Sequence, residues 1–161
     1  MAAQQVSGDV LAQQVAELLG NGGTLGDIVG FNQTDYEAVY ALGHTMYSGG
    51  RYLDAVKAFG FLVMHDPYER RFVSAYASAL QMLKRYQDAI AYHSMASVMD
   101  LSDPLPTFHT AECLVALGMR AEAQQALGFV IAQSGAPDRA ALKVRAQALL
   151  CLLYTSDAAD E

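Results

Sequence analysis

Basic residues are scarce, with 10 Lys and Arg against 17 Asp and Glu and a formal charge of −7 over 161 residues. Affinity for nucleic acid rests largely on clustered Lys and Arg that neutralise phosphates, so a nucleic-acid partner is a poor expectation. Cysteine is scarcer still. Cys113 and Cys151 are the whole complement, they lack metal-ligand spacing, and a chain of this length can bury a core without disulfide or metal staples. Such usage suits a reducing compartment. Long apolar runs are missing too: the most apolar stretch, AALKVRAQALLCLLY from Ala140, carries Lys143 and Arg145 and falls short of the roughly 20 residues that a membrane span needs. The opening MAAQQVSGDV has neither the basic nor the apolar part of a secretion leader. The expectation is a protein that stays where it is made and has no membrane partner.

What is present is order and repetition. Hydrophobic residues make up 53% and charged residues 17%, which argues against disorder over most of the length. The phrase GRYLDAVKAF from Gly50 returns as KRYQDAIAYH from Lys84, so that Arg51, Tyr52, Asp54 and Ala55 recur in the same order as Arg85, Tyr86, Asp88 and Ala89. A fainter copy, GMRAEAQQAL, places Arg120, Glu122 and Ala123 in the same phase. A period of roughly 34 residues marks stacked supersecondary units.

Val10, Leu11, Val15, Leu18 and Leu19 fall at helical spacing up to the break GNGG from Gly20, which predicts a first amphipathic helix. Thr24 with Asp27 reads as a capping box opening a short helix through Ile28 and Phe31, and Thr34 with Glu37 as a second box that starts the repeats. DPYE at Asp66 supplies an N-cap Asp, a Pro at the first helical position and a Glu in the first turn; Asp103 and Pro104 do the same. Gly49, Gly50 and Gly118 mark helix ends. The helix pairs predicted are 36–48 with 52–65, 69–83 with 86–99 and 106–117 with 120–133, followed by a last helix from Pro137 to Leu150.

The repeat resembles the tetratricopeptide repeat in its length and in its small and large residues at helix contacts. Leu42, Gly43, Ala55, Phe59 and Pro67 stand at that pattern's places in unit one, Tyr76, Ala77, Leu80, Ala89 and Ala96 in unit two, and Ala111, Leu114, Ala123 and Leu127 in unit three. The fold class expected is all-α: a solenoid of three helix pairs over 34–136, with N-terminal amphipathic helices over 1–33 and a C-terminal capping helix over 137–150. The first helix then carries two stripes. Val39, Leu42, Gly43 and Met46 form a packing face, and Tyr36, Tyr40, His44 and Tyr47 form a second. In such a solenoid the second stripe faces the concave surface, where Tyr offers large area and a polar tip. The alternative is that these tyrosines pack beneath the N-terminal helix. By the same phase unit two offers Arg71, Ser74, Ser78 and Gln81, and unit three offers Leu105, Phe108, Glu112 and Val115. Ser74 and Ser78 read equally well as an ordinary solvated face.

FHTAEC from Phe108, MHDPYERRF from Met64, MDLSDP from Met99 and GGT at Gly22 carry a more specific resemblance. Together with RYLDAVKAF and RYQDAI they resemble the class II chaperones of bacterial type III secretion systems (LcrH/SycD/IpgC type), over roughly residues 9 to 148. Thr107 stands where that family commonly has a Pro directly before the Phe-His pair, and His44 where it often has an aromatic. The resemblance implies a cytoplasmic chaperone of a Gram-negative bacterium. It would hold an extended N-terminal segment of hydrophobic translocator proteins in the concave groove before export, dimerise through N-terminal helices, and in some members assist a transcriptional activator. The alternative function is a general repeat scaffold for protein–protein contacts.

Catalysis is not expected. Asp54, Asp88 and Glu122 recur with the repeat and so belong to the scaffold, and no nucleophile has a plausible base nearby in sequence. His44, His65, His93 and His109 include no pair at i, i+4, which argues for structural roles and against a metal. GNGGTLGD lacks the Lys-Ser/Thr ending of a phosphate loop, and no cofactor is implied. The ending CLLYTSDAADE, Cys151 to Glu161, reads as read-through of a sequencing adapter, or otherwise as a frayed acidic tail, and is set aside.

Overall fold

Local capping chemistry and a few glycines decide where the helices start and stop. The computed structural model describes residues 8–157; the outer ends of the expected N-terminal segment and of the tail, 1–7 and 158–161, lie outside the described residues. Among those described, α1 (Gly8–Gly20) and the short α2 (Leu25–Val29) precede three helix pairs: α3 (Gln33–Ser48) with α4 (Tyr52–His65), α5 (Arg70–Met82) with α6 (Tyr86–Met99), and α7 (Leu105–Ala116) with α8 (Arg120–Gln133). A 3-10 turn, Pro137–Arg139, leads into α9 (Ala140–Asp157). From α3 onward each helix packs chiefly on the next in sequence, the nearest-neighbour packing that makes a solenoid. No helix of the described residues is long and apolar enough to cross a membrane.

The first helix of each pair ends in the same way. Arg51 N donates to Met46 O at 2.8 Å, Arg85 N to Leu80 O at 3.0 Å, and Met119 N to Leu114 O at 2.9 Å. This six-to-one bond needs a left-handed residue inside the turn. Gly50 (φ 74°) and Gly118 (φ 75°) supply it, whereas the matching place in the second pair is held by Lys84 at φ 61°. Just beyond, Arg51 pairs with Asp54 and Arg85 with Asp88, both at 2.7 Å.

Helix starts follow the sequence less closely. The box of Thr24 and Asp27 forms, with Thr24 N donating to Asp27 Oδ2 at 2.7 Å and Asp27 N to Thr24 Oγ1 at 3.2 Å. The second box is built from Asn32 and Asp35, not Thr34 and Glu37, because Asn32 Oδ1 already accepts from Thr34 N and Asp35 N at 2.8 and 3.2 Å and Glu37 is drawn to Arg71. At α5 the cap is Glu69, which accepts from Arg71 N at 3.1 Å. Asp66 closes a turn with Tyr68 N.

Small residues set the helix spacing. Gly43, Ala77 and Ala111 in the first helices, and Ala55, Ala89 and Ala123 in the second, recur once in every repeat and are all buried. Phe59, Leu62, Phe72 and Leu80 dominate one apolar cluster; Phe108, Leu114, Leu127 and Val130 dominate another, which Ala146 and Leu153 of α9 complete. The last helix therefore does not stop at Leu150. Leu153 is buried because α9 covers the face that the final repeat would otherwise leave open.

Two assignments on α3 change. Leu42, expected in the packing stripe, is 51% exposed. Tyr36, expected on the groove stripe, is buried: Gly26 of α2 comes so near that a Cβ there would collide with the Tyr36 hydroxyl. For Tyr36, packing beneath the N-terminal helices is the correct reading.

Candidate functional site

The first helices α3, α5 and α7 line a common concavity of about 400 Å³. Tyr40, His44 and Tyr47 come from α3, Arg70, Arg71, Ser74, Ala75 and Ser78 from α5, and Leu105, Pro106 and His109 from α7; Phe59 and His93 form the floor, and Asp103 stands at one end. Six residues assigned to a peptide site from sequence thus come together: Tyr40, His44, Tyr47, Arg71, Ser74 and Ser78. Their order along the groove follows from the period, since first helices one repeat apart present the same face.

The tyrosines are part wall and part offered surface. The Tyr40 ring lies 5.8 Å from Phe59, 5.7 Å from Phe72 and 4.8 Å from His44, and Tyr47 is 5.4 Å from Tyr52. These ring contacts hold them upright. Neither hydroxyl has a hydrogen-bond partner among the described residues, and burial pushes both phenols further up from their ordinary range, so both remain donors at neutral pH.

Both groove arginines are engaged within the chain. Arg71 pairs with Glu37 at 2.7 Å and Glu69 at 3.3 Å, with its guanidinium 5.3 Å from the Tyr40 ring centre. Arg70 pairs with Asp103 at 2.5 Å and donates to Ala96 O at 3.1 Å. Ser78 Oγ donates to Ser74 O at 2.9 Å. The groove consequently shows a tethered or neutral polar rim and an aromatic floor, which suits an uncharged, largely apolar segment.

Three assigned residues fall outside the cavity. Phe108 is buried, because α9 covers its face: the Arg145 guanidinium sits 4.6 Å from its ring centre. Glu112 is held behind the wall by His109 (2.8 Å), Gln81 (3.1 Å) and Arg145 (3.4 Å). Gln81 in turn bonds His93 Nε2 at 3.0 Å. For Phe108 and Glu112, helix phase stops being a guide because the third repeat has α9, not a fourth repeat, as its neighbour; Gln81 is drawn away by Glu112 and His93. His93 was missed because it lies on a second helix, although the register offered a signal: it stands one full repeat after Phe59, and the two share the floor. Burial, then the nearby His109, lowers His93 to about 4, and it is neutral at pH 7.

The tetratricopeptide repeat family profile matches residues 36–68 and 72–103, the first two helix pairs and their turns. The low calcium response locus protein H of Yersinia pestis is 33% identical over 142 residues, covering 87% of this chain and 83% of that protein. This chain belongs to the class II chaperones of type III secretion. Solved structures agree. A type III secretion complex from Aeromonas hydrophila superposes with a TM-score of 0.83 at 31% identity, over 90% of this chain and 97% of that one. The Yersinia enterocolitica type III secretion chaperone SycD, in complex with a peptide of the translocator YopD, superposes with a TM-score of 0.73 at 31% identity, over 78% and 97%. Both superpose on the helical solenoid described above over most of its length.

Proposed function

We propose that this protein is a cytoplasmic chaperone that holds an extended, uncharged N-terminal segment of a secreted translocator across the concave face and keeps that translocator soluble before export. The observation that carries this reading is the groove itself: Tyr40 and Tyr47 line it with hydroxyls that no described residue bonds, Phe59 and His93 line it as well, and every groove arginine is already paired. Support comes from SycD, a relative of the same fold whose structure holds a translocator peptide. Ring faces and unpaired phenols grip an extended chain by area and by hydrogen bonds to its backbone. Binding of this kind needs no cofactor and no covalent step.

A homodimer is part of the proposal. α1 makes no extensive contact with any other helix of the described residues, and its Val10 and Leu19 are about half exposed. An apolar helix face left without a partner within one chain is suited to a second copy.

Co-expression tests the chaperone reading. Exported proteins with long apolar segments encoded beside this chain should become soluble and co-purify with it. If they remain equally insoluble with and without it, the reading fails.

A further inference from the structure

The polar cluster behind the groove wall has a logic of its own. Burial raises the Glu112 carboxyl, but hydrogen bonds from His109 and Gln81 and the charge of Arg145 outweigh it and hold the group below its ordinary value. Glu112 is therefore an ionised pure acceptor at neutral pH. A pure acceptor 2.8 Å from His109 Nδ1 requires that nitrogen to carry the proton. The same Oε2 takes the Gln81 amide donor at 3.1 Å, which turns Gln81 Oε1 toward His93 and requires the proton of neutral His93 to sit on Nε2. One carboxylate thus specifies both tautomers through helices α5, α6 and α7. The two rings stack with centres 5.2 Å apart, and both line the groove.

In the neutral ring, a proton held on Nδ1 toward Glu112 leaves Nε2 on the other side as the acceptor, and no described residue bonds it. We propose that Glu112 is a positioning residue that fixes His109 as a hydrogen-bond acceptor in the groove wall, where Nε2 takes an N–H or O–H donor from the bound segment. The wall at this end then discriminates by donor chemistry: a segment presenting a free backbone amide or hydroxyl satisfies Nε2, and one presenting a proline nitrogen or a carboxylate there does not. Glu112 itself never touches the segment. What the acceptor serves rests on the groove reading above, but the tautomer does not.

Imidazole ¹⁵N spectra of the free, full-length chain at pH 7.5 decide the matter without any ligand, so failure here leaves the chaperone reading standing. The expected spectrum has His109 protonated on Nδ1 with a bare Nε2, and His93 protonated on Nε2. Glu112→Met should release His109 to a mixture of tautomers while circular dichroism keeps its helical signal. Gln81→Met should disturb His93 and leave His109 unchanged, which separates loss of the relay from general loosening and provides a second route if Glu112→Met folds poorly. A wild-type His109 protonated on Nε2, or an Nδ1–H tautomer that survives in Glu112→Met, would overturn the proposal.

Discussion

Gly43 of α3 lies flat against the Phe59 ring of α4: a Cβ built on Gly43 would sit 2.5 Å from Cε1 of that ring. Phe59 is fully buried in the first apolar cluster and cannot retreat. Gly43→Ala should therefore cost about 1–3 kcal/mol, the usual range for overpacking a tight core. Gly128, in the middle of α8, has nothing within 4 Å of its missing Cβ, and Gly128→Ala should gain about 0.5–1 kcal/mol through helix propensity. Thermal melting of the two variants should move in opposite directions; a shared direction would mean that the α3–α4 contact is looser than described.

Lys84 repeats the geometry of Gly50 and Gly118 without being glycine. A left-handed non-glycine residue costs about 1–2 kcal/mol locally, partly offset by the greater chain entropy of glycine when unfolded. Lys84→Gly should raise the melting temperature, and Gly50→Ala should lower it. A Lys84→Gly variant less stable than wild type would show that the Lys84 side chain contributes more than its backbone strain costs.

Stability should depend on pH through His93. Below pH 6.5 the unfolded chain takes a proton that folded His93, lowered to about 4, refuses. Stability is then fully present above pH 6.5 and falls as pH drops toward 4, by at most about 3 kcal/mol at 1.36 kcal/mol per unit. The groups facing this ring are His109, Glu112 and, through Glu112, Arg145. His93→Gln keeps a donor toward Gln81 and should flatten the pH profile between 6.5 and 4; an unchanged slope would assign acid sensitivity to another group.

Leu153 lies in α9 beyond Leu150, where the last helix was expected to end. It is only 5% exposed in the second cluster, and Leu→Ala in such a place costs about 2–5 kcal/mol. Leu153→Ala should lower the melting temperature by several degrees, whereas Leu152→Ala, at a position 65% exposed, should not. Equal melting curves would show that the last two turns of α9 are unpacked in solution.

Tyr40 and Tyr47 line the groove, with ring contacts to Phe59, Phe72 and Tyr52 and with hydroxyls that no described residue bonds. The double change Tyr40→Phe, Tyr47→Phe removes only the hydroxyls. At about 0.5–1.5 kcal/mol per hydrogen bond, affinity for a translocator's N-terminal segment should fall roughly tenfold with little change in melting. Calorimetric titration measures it, and undiminished affinity would leave binding to the ring faces alone.

The regular recurrence of the repeat, the small residues at 43, 77 and 111 and at 55, 89 and 123, and the turn glycines are properties of local chain and nearest neighbour. Helix number, pairing order and the identity of the concave face were legible for that reason: in a solenoid each unit meets only the next, so local pattern and global contact coincide. Tyr40, His44, Tyr47, Arg71, Ser74 and Ser78 share the groove because they repeat in that phase.

Tertiary structure alone decided the two ends, where the repeat has no successor and phase stops being a guide. At the first end α2 covers Tyr36, through the close approach that Gly26 permits. At the other, α9 covers Phe108 and brings Arg145 onto Glu112, turning two residues in groove phase into wall and support. Cap choice was decided likewise by competition in space, since Glu37 serves Arg71 from the next repeat and leaves capping to Asn32 and Asp35. A residue's phase on its helix is written in its neighbours along the chain. Whether water, another helix or a ligand meets that face depends on which distant segment arrives, and a repeating pattern carries no information about what lies beyond its last copy.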